Sequence, residues 1–192
     1  MLDKKYYPLI LSIARKAILE EFVGRPLIDK QALYEKYPFF REKAAVFVTL
    51  NKRRGGTGDL VLRGCIGSIL PTRPFLEDLI HNAKAAAFHD YRFPPLTREE
   101  FDEVEIEVSI LSLPKEVHYE DPEELRQIIR PYVHGVILTL GYNRATFLPD
   151  VWEKLPDFDL FFEHLCKKAG LPGDCLKYKP KIEIYTVQKI SE

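Results

Sequence analysis

One order of elements occurs twice in this sequence, and it limits the fold more than any single segment does. Residues 44–50 (Ala-Ala-Val-Phe-Val-Thr-Leu) are rich in β-formers, 51–59 carry Gly55, Gly56 and Gly58 as a long hairpin connection, and the strand resumes over 60–70. Pro74 then opens a helix, with Thr72 or a neighbour as cap, whose apolar stripe is Phe75, Leu76, Leu79, Ile80, Ala83 and Ala87. Val104, Ile106, Val108 and Ile110 alternate with Glu105, Glu107 and Ser109, the period of a half-exposed antiparallel strand. The same succession returns as a strand over 133–140, a turn at 141–144, a return strand over 145–148, a helix capped by Asp157 and stopped at Gly170, and a closing strand over 182–187. The spacing predicts an internally duplicated α+β fold. Its ββαβ units cover about 44–112 and 133–190, in mostly antiparallel sheet with helices packed on it.

Ahead of the first unit, Ile10, Ile13, Ala14, Ala17 and Ile18 recur at helical spacing until Gly24-Arg25-Pro26 closes the helix, and a shorter piece over 30–37 ends at Pro38. Asp121-Pro122-Glu123-Glu124 is a helix start between the units. The whole chain, 1–192, reads as one domain. Every apolar run is interrupted by charge or proline before it could span a bilayer, and the N-terminus keeps its charges, so the expected location is the cytoplasm. A formal net charge of −1 argues against a wholesale polyanion binder, leaving Lys52-Arg53-Arg54 as the compact basic cluster, read as a solvated hairpin tip. Cys65, Cys166 and Cys175 are odd in number and lack C-x-x-C spacing, which predicts reduced thiols and neither a disulfide framework nor a structural zinc site. A single Met, few Asn and Gln, and many Lys and Glu lean toward a thermophile's composition.

Within the first hairpin, Leu62-Arg63-Gly64-Cys65-Ile66-Gly67-Ser68 interrupts a hydrophobic run with chemistry that packing does not demand. Glycine in a strand gives up packing for a bulge, a bend or a close approach. If the strand is regular, Arg63 and Cys65 share a face, and a guanidinium beside a thiol favours the thiolate. The plainer reading of Cys65 is a small buried apolar residue, which free cysteine very often is. Asp90 and Arg92, in a loop before Pro94-Pro95, are placed to form an ion pair, orient a ligand or cap backbone groups. His134, followed by Gly135 where a strand begins, is the histidine of most interest, with His89 beside Asp90 a second; no metal-ligand spacing is present, so no metal site is assigned. Gly55-Gly56-Thr57-Gly58 lacks the lysine and the helix of a phosphate loop.

Leu62-Arg63-Gly64-Cys65-Ile66-Gly67 resembles the hallmark of the AMMECR domain family, named for a human chromosomal region linked to Alport syndrome, midface hypoplasia and elliptocytosis. The similarity continues through Asp90-Tyr91-Arg92-Phe93-Pro94-Pro95-Leu96, His134-Gly135-Val136, the segment 145–153 and Leu165 to Pro172, with departures at Tyr91 and Cys175. The resemblance implies an α+β fold with an internal duplication and no established biochemical activity. It also implies a part in a modification pathway alongside Memo-like and radical-SAM-like proteins, an argument from association.

Two functional classes follow. One is an enzyme in which Cys65 is nucleophile or thiol ligand, Arg63 and Arg92 hold an anionic group, and His134 or Asp90 moves protons. The other is a binding or adaptor domain in which the glycines open a ligand cleft and Cys65 is packing; this is the favoured one. Arg63, Gly64, Gly67, Ser68, Arg92 and Arg144 are the ligand-binding candidates, the last as the counterpart of Arg63 in the second hairpin. The partner is an unknown small ligand or protein and the cofactor is unknown. Nucleic-acid binding through Lys52-Arg53-Arg54 is a third reading.

Overall fold

The computed structural model describes residues 2–53 and 59–192; the glycine-rich tip and Arg54 lie outside the described residues. The chain divides into two compact units, one formed by residues up to Leu111 with Gln188–Glu192, the other by Ser112–Val187.

In the first unit, helix α1 (Tyr7–Val23) buries Ile10, Ile13, Ala14, Ala17 and Ile18, the periodic set. It stops at Gly24, whose φ of +67° is open to a residue without a Cβ and turns the chain back. Helix α2 (Lys30–Lys36) follows, its first turn capped by Asp29. Strands β1 (Ala45–Arg53) and β2 (Leu60–Gly67) form the hairpin, followed by α3 (Phe75–Phe88), the short α4 (Arg98–Phe101) and β3 (Val104–Leu111). The sheet order is β2-β1-β3-β8, where β8 is Val187–Ser191. Val46, Val48 and Leu50 of β1 and Val104, Ile106 and Val108 of β3 supply the strand side of a core that α1 and α3 complete with Ile13, Ala17, Leu76, Leu79 and Ala83. The returning strand is shorter than its apolar run, ending at Gly67, and α3 is preceded by Pro74, with no side-chain cap from Thr72.

The second unit holds β4 (Lys115–Val117), α5 (Pro122–Ile128), β5 (Gly135–Leu140), β6 (Asn143–Phe147), α6 (Phe158–Lys168) and β7 (Lys181–Tyr185). Its sheet order is β4-β7-β5-β6, all antiparallel. Gly141, at φ +59°, makes the hairpin turn. Trp152 stacks on Phe161 with centroids 3.6 Å apart and planes at 2°, at the centre of a core with Leu125, Leu138, Phe162 and Leu165. In both units the first hairpin strand lies between its partner and the strand after the helix, as β2-β1-β3 and as β6-β5-β7. The last strand of the sequence, by contrast, pairs in the first sheet.

One expectation is overturned in the second unit. Cys166 of α6 and Cys175 of the 3-10 turn Cys175–Tyr178 are joined in a disulfide, their Cα atoms 5.8 Å apart and both residues fully buried. An odd cysteine count argues against a framework of several bridges but not against one local staple with a thiol left over, and the fold brings these two together across a tight turn.

Candidate functional site

The Arg-Gly-Cys segment lies on β2, the outermost strand of the first sheet, and its regular alternation is broken. Leu50 faces Gly64 while Asn51 faces Leu62, so Arg63 is an extra residue in the ladder, a β-bulge. The bulge corrects the expectation that Arg63 and Cys65 share a face. Cys65 stands opposite Thr49, whose hydroxyl donates to Sγ at 3.2 Å. Arg63 turns with Gly64 to the buried side, where Nε and Nη2 donate to the two carboxylate oxygens of Glu100 at 3.0 and 2.7 Å and Nη2 also to the Pro94 carbonyl at 3.0 Å. The Arg63 guanidinium holds the Glu100 carboxyl down at about 2. Glu100 escaped the sequence reading, although Thr97-x-x-Glu100 is a capping box and both of its bonds are formed. Among the described residues, Nη1 of Arg63 is buried without a hydrogen-bond partner.

Asp90 and Arg92 act together on the backbone of Cys65. The Cys65 N–H donates to Asp90 Oδ2 at 2.9 Å, and Arg92 Nη2 donates to the Cys65 carbonyl at 3.2 Å. Arg92 also binds Asp90 through Nε at 2.9 Å and Nη2 at 2.7 Å. An edge strand exposes such groups, and this fork takes the place of a neighbouring strand at one residue. Asp90, 4% exposed, is held well below the usual carboxylate range by the Arg92 guanidinium, with the Cys65 and Arg92 N–H groups helping.

The room left by the glycines is occupied from within the unit. A Cβ on Gly64 would lie 2.1 Å from the Ala86 carbonyl oxygen of α3, and one on Gly67 would lie 2.1 Å from Cγ of Phe47. Ser68 donates to Oδ1 of the fully buried Asp78 at 2.6 Å. Asp78 and Asn82, one helical turn apart on α3, also bind the Val46 N–H and carbonyl at 2.9 Å each, the carbonyl being shared with the Ser68 N–H at 3.0 Å. No local pattern signals this pair, since polar residues on a helix read as solvent-facing until the fold buries them.

His134 and Arg144 belong to the second unit. The Arg130 N–H donates to His134 Nδ1 at 3.1 Å, and the Arg130 guanidinium lies 3.3–3.4 Å from Nε2. Burial and then the Arg130 charge push the imidazole below its ordinary value, so it is neutral at pH 7. Its backbone carbonyl accepts from Trp152 Nε1 at 2.9 Å. Gly135 leaves space for the Tyr185 ring, whose Cε2 would lie 2.4 Å from a Cβ there. Arg144 is partly exposed and pairs with Glu183 at 3.6 Å. Thr146 of β6 has its carbonyl bound by Lys168 Nζ at 3.0 Å, much as Arg92 binds that of Cys65 on β2. Among the described residues no three His, Cys, Asp or Glu side chains are grouped as a metal site requires. In the basic cluster, Lys52 pairs with Glu103 at 2.9 Å and Arg53 with Glu105 at 2.5 Å.

A model of the AMMECR1 family matches residues 11–190. The chain belongs to the AMMECR1 family. This family member is 38% identical to a protein of Methanothermobacter thermautotrophicus over 96% of this chain and 95% of that one, and 34% identical to one of Aquifex aeolicus over 95% and 91%. A crystal structure of an uncharacterised protein from Pyrococcus horikoshii is similar with a TM-score of 0.82 at 32% identity, covering 98% of this chain and 92% of that one. Many of this AMMECR1 chain's relatives come from archaea and thermophiles, in keeping with its composition. Among the described residues no helix is long and apolar enough to cross a membrane.

Proposed function

We propose that this protein is a binding or adaptor component, and that it meets a small ligand or a protein partner along the strand edge over 63–68. The observation that carries this reading is the fork on Cys65. Asp90, a candidate for moving protons, has both oxygens engaged and a strongly depressed carboxyl, whereas a general base needs a lone pair and a pKa near the working pH. Arg92 and Arg63, the candidate anion holders, are bonded to Asp90 and Glu100. Side chains engaged this way make a rigid edge better suited to display than to reaction. Memo-like and radical-SAM-like proteins are the partners that family resemblance suggests. The test is co-sedimentation of the purified chain with such proteins. Wild type and Cys65→Ala are expected to bind, and Arg92→Ala, which loosens the edge, to bind more weakly. Failure of wild type to bind either partner or any small ligand in a thermal-shift screen would sink the adaptor reading.

A second reading, Cys65 as nucleophile, is favoured by the Thr49 hydroxyl donating to the sulfur at 3.2 Å, a bond that supports a thiolate. Iodoacetamide alkylation across neutral pH separates the two. The adaptor reading expects a rate no greater than that of a cysteine peptide, and Cys65→Ser variants that retain function in cells. Nucleic-acid binding ranks third, because Lys52 and Arg53 are paired with Glu103 and Glu105.

A further inference from the structure

Between α1 and α2 lies a hollow of about 340 Å³, at the low end of small-ligand sites. Its elements are separate from the 63–68 edge. Leu9 and Ile13 of α1, Ile28 of the connecting segment and Leu33 of α2 supply apolar lining, with Tyr37 beside them. The wall formed by the connecting segment is fixed in place: Glu20 Oε1 accepts from the N–H groups of Leu27 and Ile28 at 2.8 and 3.1 Å, and Lys84 holds the other Glu20 oxygen at 3.0 Å. A site so held loses little on binding to ordering its own walls.

The charges at the hollow are asymmetric. Lys16 and Lys36 both line it, and among the described residues neither forms an ion pair. The Lys36 ammonium lies 5.4 Å from the ring centroid of Tyr37, another residue of the lining. Asp29, the acid in the lining, spends a carboxylate oxygen on the Ala32 N–H at 3.0 Å as the cap of α2. Apolar walls with two unpaired ammonium groups are complementary to an apolar chain bearing one negative charge. At about 30 Å³ of liquid volume per water-sized group, the hollow has room for roughly eleven such groups, the order of a medium-length carboxylate.

We propose that this hollow binds a small amphipathic carboxylate, an unbranched apolar chain of about ten carbons, with its tail against Leu9, Ile13, Ile28 and Leu33 and its carboxylate toward Lys16 and Lys36. Calorimetry of the full chain with decanoate, hexanoate and decanol tests it. Decanoate is expected to saturate one site, and each methylene removed toward hexanoate to weaken binding by up to about fourfold. Lys16→Gln and Lys36→Gln are each expected to weaken decanoate about two- to fivefold and to leave decanol unchanged. Ala32→Trp and Ser12→Trp, which fill the hollow from exposed helix positions, are expected to abolish binding without lowering the melting temperature. Absence of saturable decanoate binding at millimolar concentration would overturn the proposal. So would binding that survives both tryptophan variants, decanol binding as tightly as decanoate, or adsorption to phosphatidylglycerol vesicles that decanoate does not compete away.

Discussion

Gly64→Ala measures how closely β2 and α3 approach. The added methyl would lie 2.1 Å from the Ala86 carbonyl oxygen and 3.2 Å from its carbon, whereas a carbon–oxygen contact settles near 3.3 Å. Strand and helix must therefore separate by about 1 Å. Neither is free to do so: β2 is paired to β1 through Cys65 and Gly64 and bound at its outer edge by Asp90 and Arg92, while α3 is sunk in the core through Leu76, Leu79, Ala83 and Ala86. Overpacking costs about 1–3 kcal/mol, and an obstacle made of backbone belongs at the upper end, about 3 kcal/mol. For a chain of this length that is a fall in melting temperature of about 6–12 °C, read by far-UV circular dichroism and checked by urea titration. Ala86→Gly should not rescue it, because the obstructing atom is the carbonyl oxygen. Gly67→Ala is the contrast: its obstacle is the Phe47 side chain, so Gly67→Ala should cost much less in a Phe47→Ala background than in the wild type. A Gly64→Ala chain melting within about 2 °C of wild type would refute the close approach, since so small a shift is below 1 kcal/mol.

Glu100, held at about 2 by Arg63 against an ordinary 4.5, contributes stability that is complete above the unfolded value and is lost as pH falls through the folded one; Asp90 acts in the same direction. The unfolding free energy from urea titration should therefore fall between about pH 4.5 and 2, by up to about 3 kcal/mol for Glu100, and Glu100→Gln should remove that part of the slope. His134, lowered by burial and Arg130, likewise stabilises in its neutral form, so acidification below about pH 6.5 should weaken the second unit. Fluorescence of Trp152, whose indole binds the His134 carbonyl, reports this, and a His134→Gln chain with an unchanged pH profile would contradict it. Alkylation without reductant should label one cysteine of the three, and Cys166→Ala with Cys175→Ala should cost about 3 kcal/mol for a loop this short. Full labelling of all three thiols in the native chain would contradict the disulfide.

Periodicity made most elements legible. The 3.6-residue spacing of Ile10, Ile13, Ala14, Ala17 and Ile18 and the alternation from Val104 to Ile110 each reflect one face turned to a core, and local sequence records that directly. The pairing of the β1–β2 and β5–β6 hairpins was legible for the same reason, since their partners are near in sequence. Partners far apart in sequence were not. Arg63 with Glu100, Cys65 with Asp90 and Arg92, Val46 with Asp78 and Asn82, and the pairing of β8 in the first sheet all join residues that nothing local connects.

At the Arg-Gly-Cys segment the division is clearest. Sequence alone determined that this strand needed glycines and carried an arginine and a thiol, because a residue's side chain, or its lack of one, is a local property. Tertiary structure decided what the glycines make room for and where the arginine points. The Ala86 carbonyl and the Phe47 ring occupy the glycine spaces, and one extra residue in the ladder turns Arg63 away from Cys65 toward Glu100. Strand side-chain direction has a period of two, so a single inserted residue reverses it, and the insertion is set by pairing across the sheet rather than by the strand's own sequence.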